Sequence, residues 1–300
     1  MMPTETNLKS PIADDLSNMI VALTLQCAHC GYDLRGLSAD GDCPECGEPI
    51  RLTIIETIDP ASRRLTPILN PRIVGNSISG VVTAFFFSIL LAVTALLINS
   101  PAALPVPFEL RTFPTSSFVW GAVGTGLLAL LSLCPMMRMC QRKELVGCRA
   151  GILLTLSGLV IWCLSLLSEN IFSNLSKSEY STFAMLINYV FPVISVGLVF
   201  TGFRKLIPRL GQRSRAFRQA QGSRQRMNDL LVTLVVFIVG QTLLAISSVD
   251  TNLAFLGLVL VVVSASFILI GLAYVMRNTF WIRNALVMPP PALDELLRST

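Results

Sequence analysis

Residues 204–226 read RKLIPRLGQRSRAFRQAQGSRQR, with eight cations (Arg204, Lys205, Arg209, Arg213, Arg215, Arg218, Arg224 and Arg226) and no Asp or Glu, between two long apolar runs. A short basic loop resists translocation and stays in the cytoplasm. It therefore sets the direction of the spans beside it and, by alternation, of every other span. Working outward from it gives six apolar runs, at 76–98, 117–137, 150–167, 183–203, 230–249 and 253–276. Each is near the ~20 residues that cross a hydrocarbon core about 30 Å thick. Each must be helical, because lipid offers no partner to a backbone N–H or C=O. The predicted fold class is an all-α membrane protein of six transmembrane helices.

The other connections test this scheme. Arg138, Arg142, Lys143 and Arg149 lie between the second and third runs, and Arg277, Arg283 and Arg298 follow the sixth. The intervening segments hold only Arg111 and Lys177 as cations, against Glu109, Glu169, Glu179 and Asp250. The alternation holds throughout, so both termini are expected in the cytoplasm and the protein in the cytoplasmic membrane. The net charge of +5 is then a matter of topology, with the basic loops facing anionic lipid headgroups. A chain 53% hydrophobic and 14% charged, with a mean hydropathy of +0.66, is also far from the roughly one-quarter charged residues of a soluble domain.

Ahead of the spans stands a different kind of signal. Residues 27–37 read CAHCGYDLRGL and residues 42–47 read DCPECG. The pairs Cys27/Cys30 and Cys43/Cys46 have the C-x2-C spacing of zinc knuckles, two of which complete a tetrahedron of thiolates. Gly31 and Gly47 follow the second cysteine of each pair, where a positive φ lets the backbone turn its N–H groups toward sulfur. Four cysteines fill every position around a zinc ion, so the site is expected to be structural. His29, the chain's one histidine, is expected to be a solvent-facing side chain of the first knuckle. A head this small cannot offset its chain entropy by apolar burial alone, whereas a structural zinc contributes roughly 10 to 16 kcal/mol. Cys134, Cys140, Cys148 and Cys163 have no such spacing and read as small buried side chains. With no cysteine in an external segment, no disulfide framework is expected.

The stretch from Cys27 to Gly47 resembles a zinc ribbon, and its halves are similar to rubredoxin knuckles. More narrowly, CGYDLRGL followed by CPECG resembles the amino-terminal ribbon of a set of bacterial multi-pass membrane proteins. That resemblance implies a structural zinc site ahead of membrane spans, a bacterial inner-membrane location, and no reaction.

The domain plan is a tail over 1–21, a ribbon over 22–55, a basic proline-containing linker over 56–75, the spans over 76–276 and a cytoplasmic tail over 277–300. Apolar residues near Met19 are expected to form a short strand entering the knuckle, and Leu52 to Ile55 a closing strand. Pro192 is expected to kink the fourth span. Gly121, Gly124 and Gly126, and Gly147 with Gly151, invite close helix contact, either within the chain or between copies in a homo-oligomer. Phe280 and Trp281, between Arg277 and Arg283, suit an interfacial anchor, and 292–298 a short amphipathic turn.

No Asp, Glu, Lys, Arg or His lies deep in a span, which removes the usual proton relays. Gln241 and Asn188 are the strongest polar groups there. The leading expectation is a non-enzymatic inner-membrane protein whose ribbon docks a cytoplasmic protein partner, with the spans as anchor or scaffold. Transport of a neutral or lipid-like solute along Gln241, Asn188 and the Pro192 kink is a second class, and a membrane-bound enzyme a third. Neither catalytic nor organic-cofactor-binding residues are identified: Ser-His chemistry lacks its base, and four thiolates leave zinc no open position. Nucleic acid does not suit a head holding Arg35 against Asp33, Asp40, Asp42, Glu45 and Glu48.

Overall fold

The computed structural model describes residues 18–59, 65, 68–99, 114–140, 147–175, 190–220, 226–246, 251–291 and 293–299. The chain divides into two compact units, one formed by residues 66–287 and the other by 1–65 together with 288–300.

The larger unit is built from six long helices: α2 (Pro71–Asn99), α3 (Thr115–Cys140), α4 (Arg149–Leu175), α5 (Phe191–Gly211), α7 (Met227–Ile246) and α8 (Thr251–Val287). A one-turn helix α6 (Arg215–Gln219) stands between α5 and α7. All six are long and apolar enough to cross a membrane, so the chain is an integral, multi-pass membrane protein. Each helix packs on its neighbour in chain order, α5 on α7 among them, and α8 returns to α2, which closes a ring.

The interior of the ring is filled. Phe85 of α2 meets Trp162 of α4 and Phe203 of α5 edge to face, with ring centroids 6.1 and 6.2 Å apart. Trp162 Nε1 donates to Ser88 Oγ at 2.8 Å, and Ser88 Oγ donates to the Ala122 carbonyl at 2.6 Å. This chain ties α4, α2 and α3 together with no polar group left over. Outward faces carry Trp120, Leu128 and Leu131 on α3 and Val232, Val235 and Val239 on α7, side chains at no disadvantage against lipid.

Helices approach closely between α4 and α5 and, at Gly240 and Gly257, between α7 and α8. A Cβ on Gly158 would lie 2.7 Å from the Ser195 carbonyl oxygen, and one on Gly202 would collide with Thr155 Oγ1. Gly151 faces Leu206 and Gly202, so the contact anticipated at Gly147 and Gly151 is made within the chain. Gly121 faces Leu91 and Gly126 faces Cys163, while Gly124 faces open space.

Several expectations are corrected. The fourth helix is described from Phe191 and continues past 203 to Gly211, taking Arg204, Lys205 and Arg209 into its last turns; residues 183–189 of the expected span, and Asn188 with them, lie outside the described residues. Pro192 is the second residue of the described helix. Gln241 is half-buried.

The sixth helix does not stop at 276. At 37 residues it is about 55 Å long, well beyond a hydrocarbon core. The Arg277 guanidinium lies over the rings of Tyr274 and Trp281, 4.8 and 5.0 Å from their centroids, a cation–π anchor suited to an interface. Pro289 to Pro291 follow the helix end. On this extension Arg283 Nε donates to Asn76 Oδ1 at 2.7 Å. Asn278 is buried there, with neither Nδ2 nor Oδ1 hydrogen-bonded.

The smaller unit has strand β1 (Met19–Val21), helix α1 (Ile50–Ile58), a turn of helix α9 (Leu293–Leu296) and strand β2 (Leu297–Ser299). Residues 52–55, expected as a strand, are helical. Ile50, Thr53, Ile54 and Ile58 are the buried positions, a spacing of three and four rather than two. The second correction is larger. The last residues are not a separate tail: β2 pairs antiparallel with β1, Met19 opposite Ser299 and Val21 opposite Leu297. Leu296 and Leu297 join Val21, Leu25, Leu34, Ala39, Ile50 and Ile54 in one apolar core.

Candidate metal centre

The two knuckles are copies of one another, sixteen positions apart in sequence. Cys27 N donates to the Tyr32 carbonyl at 2.8 Å and Gly31 N to the Cys27 carbonyl at 2.9 Å; Cys43 N donates to the Glu48 carbonyl and Gly47 N to the Cys43 carbonyl, both at 2.9 Å. Gln26 bridges Asp33 just as Asp42 bridges Pro49. Gly31 and Gly47 sit at φ +78° and +71°, the left-handed region that the sequence reading assigned to them. Helix α1 supports the pair from below, where buried Thr53 Oγ1 accepts from the Ala28 N–H at 3.3 Å.

This arrangement brings all four sequence-identified cysteines together. Their sulfurs lie within 4.8 Å of one another, with Cys27 Sγ 3.7 Å from Cys46 Sγ and Cys30 Sγ 3.6 Å from Cys43 Sγ. A tetrahedron of thiolates bound at ~2.3 Å has sulfur–sulfur edges of about 3.8 Å, whereas a disulfide needs ~2.05 Å. The observed separations match the first figure and exclude the second, and no disulfide is present among the described cysteines. The group can hold a metal ion. His29 is exposed, as expected of a knuckle side chain.

The electrostatics point the same way. The N–H groups of Cys30 and His29, directed at Cys27 Sγ, lower that thiol to about 6 despite its burial. The Tyr32 and Glu48 N–H groups act likewise on Cys30 and Cys46. There, desolvation and the neighbouring cysteines prevail: Cys30 is raised, and Cys46 is pushed up to about 12. Four thiolates this close cannot share a site without a cation between them. The backbone N–H groups are already placed to disperse charge on sulfur once a cation is there.

Sequence reasoning located the four cysteines but not what completes their support. Thr53 binds the first knuckle, and Leu296 and Leu297 share an apolar core with Cys27 and Cys43, from segments read as strand and tail. Asn278 was missed because the sixth span was ended two residues before it. No protein-family model, curated protein or solved structure matches the chain.

Proposed function

We propose that the head is a structural zinc module that docks a cytoplasmic protein partner, and that the six helices hold it at the inner membrane. The observation that carries this reading is the four-sulfur cluster: its edges suit zinc, all its donors are thiolates, and it leaves no position for water or substrate, so the ion's work is to fold the head. Zinc is favoured over iron by the short segment between the pairs and the scarcity of aromatic residues around them, Tyr32 being exposed.

A second observation supports placing both ends of the chain on one side. Strands β1 and β2 form one folded unit, which a bilayer cannot divide. The chain leaves that unit before α2 and re-enters it after α8, so the number of crossings between must be even. Charge then selects the cytoplasmic side, and exposed Arg204, Lys205 and Arg209 on α5 favour contact with anionic headgroups.

The test is a pull-down from native membranes with wild-type and Cys27→Ser protein, matched for membrane level. Loss of a defined soluble partner in the variant is expected. Identical partner sets would remove the docking role while leaving the metal site intact as an idea.

A further inference from the structure

The C-terminal strand docks on the stem of the first metal knuckle. Strand β1 has partners on both edges. On one side Gly36 N donates to the Val21 carbonyl, Val21 N to the Leu37 carbonyl and Ala39 N to the Met19 carbonyl, at 2.8, 3.0 and 2.8 Å. On the other lies β2, where Ala22 N also donates to the Leu296 carbonyl at 2.8 Å. The first edge continues without a break into the metal knuckle: Leu34 N donates to the Leu25 carbonyl, then Cys27 N to the Tyr32 carbonyl, both at 2.8 Å. The strand that receives the C-terminus is thus the stem of the hairpin whose tip carries Cys27 and Cys30. The core beneath it is small, and Cys27, Cys43, Leu296 and Leu297 are themselves members of it.

Resting on the metal reading above, we infer that residues 293–299 are a metal-dependent latch: an ion at Cys27, Cys30, Cys43 and Cys46 keeps β1 ordered to receive β2, and its loss releases the segment that follows α8. In the released state Leu296 and Leu297 leave the core and the edge of β1 is bare, so the metal state of the four thiols is passed to the end of the last membrane helix through the covalent chain. Thermodynamic linkage makes the coupling reciprocal. A chain that cannot seat β2 must bind metal more weakly, by the factor with which metal strengthens the seating.

The experiment is hydrogen exchange with mass spectrometry on the full chain in detergent, zinc-loaded and then chelated, following peptides over 19–25, 27–47 and 293–299. Chelation is expected to raise exchange in all three and zinc to restore protection in all three. Continued protection of 293–299 while 27–47 opens would overturn the latch and leave the metal site standing. No response of 27–47 to chelation or to added zinc would overturn the metal reading and the latch with it. A second arm uses Leu297→Asp, in which the membrane helices serve as the fold control. Its zinc affinity, by competition with a chromophoric chelator, is expected to fall about tenfold or more, since burying one leucine is worth at least that factor. Unchanged affinity with 293–299 fully exchanged would overturn the coupling.

Discussion

Two of the four thiols, Cys30 and Cys46, are held above the ordinary thiol range, whereas Cys27 is lowered to about 6. The perturbation that reads this out is pH. At pH 7.5 Cys27 is already mostly thiolate, while Cys30 and Cys46 retain their protons. Coordination requires all donors ionised, so binding at that pH releases at least two protons, one from each of the raised thiols. The sign follows directly: protons compete with the ion, affinity rises with pH, and acidification expels the metal. Those two protons alone correspond to about a hundredfold gain per pH unit near neutrality, and below pH 6 Cys27 steepens the slope by one more. Titration calorimetry of zinc into the chelated full chain, in buffers of different ionisation enthalpy, counts those protons. Release of one proton or none at pH 7.5 would refute the reasoning, because the cluster would then be largely ionised before the ion arrived.

Two further outcomes concern the membrane unit. Gly158→Ala forces a methyl within 2.7 Å of the Ser195 carbonyl and of Val199 Cγ2; since backbone cannot swing aside, α4 and α5 must separate, at a cost of about 1 to 3 kcal/mol in detergent unfolding assays. A neutral result there would mean the two helices are not in contact along this face. Asn278→Leu removes an amide buried without a partner. It should raise the midpoint of thermal unfolding, the relief being about 1 to 3 kcal/mol; a fall would show that the amide is satisfied in the native membrane.

Much of this molecule was legible because its two strongest physical constraints act locally. A span must be a long apolar helix, and four cysteines in two tight turns can serve one ion, so the six helices and the cluster of Cys27, Cys30, Cys43 and Cys46 are readable from runs and spacings. What escaped was non-local or ambiguous in period. Nothing about L-L-R-S near the C-terminus signals that Leu297 pairs with Val21 at the other end of the chain. The run R-L-T-I-I-E-T-I is rich in β-branched residues and suits a strand, but its burial follows a helix against the knuckles. The fourth helix is described only from Phe191, and its C-terminal end runs past Phe203 to Gly211, carrying cations in the last turns, where long side chains reach water. The sixth was cut short at Arg277, whose charge marks an interface and not the end of the helix.

Four thiols holding one structural ion are most directly tested by elemental analysis of the full chain purified without chelator, beside Cys27→Ser and Cys46→Ser. One zinc per chain in the wild type, with none retained by either variant, is the predicted result. Stoichiometric iron, or four freely reactive thiols with no metal at all, would contradict it.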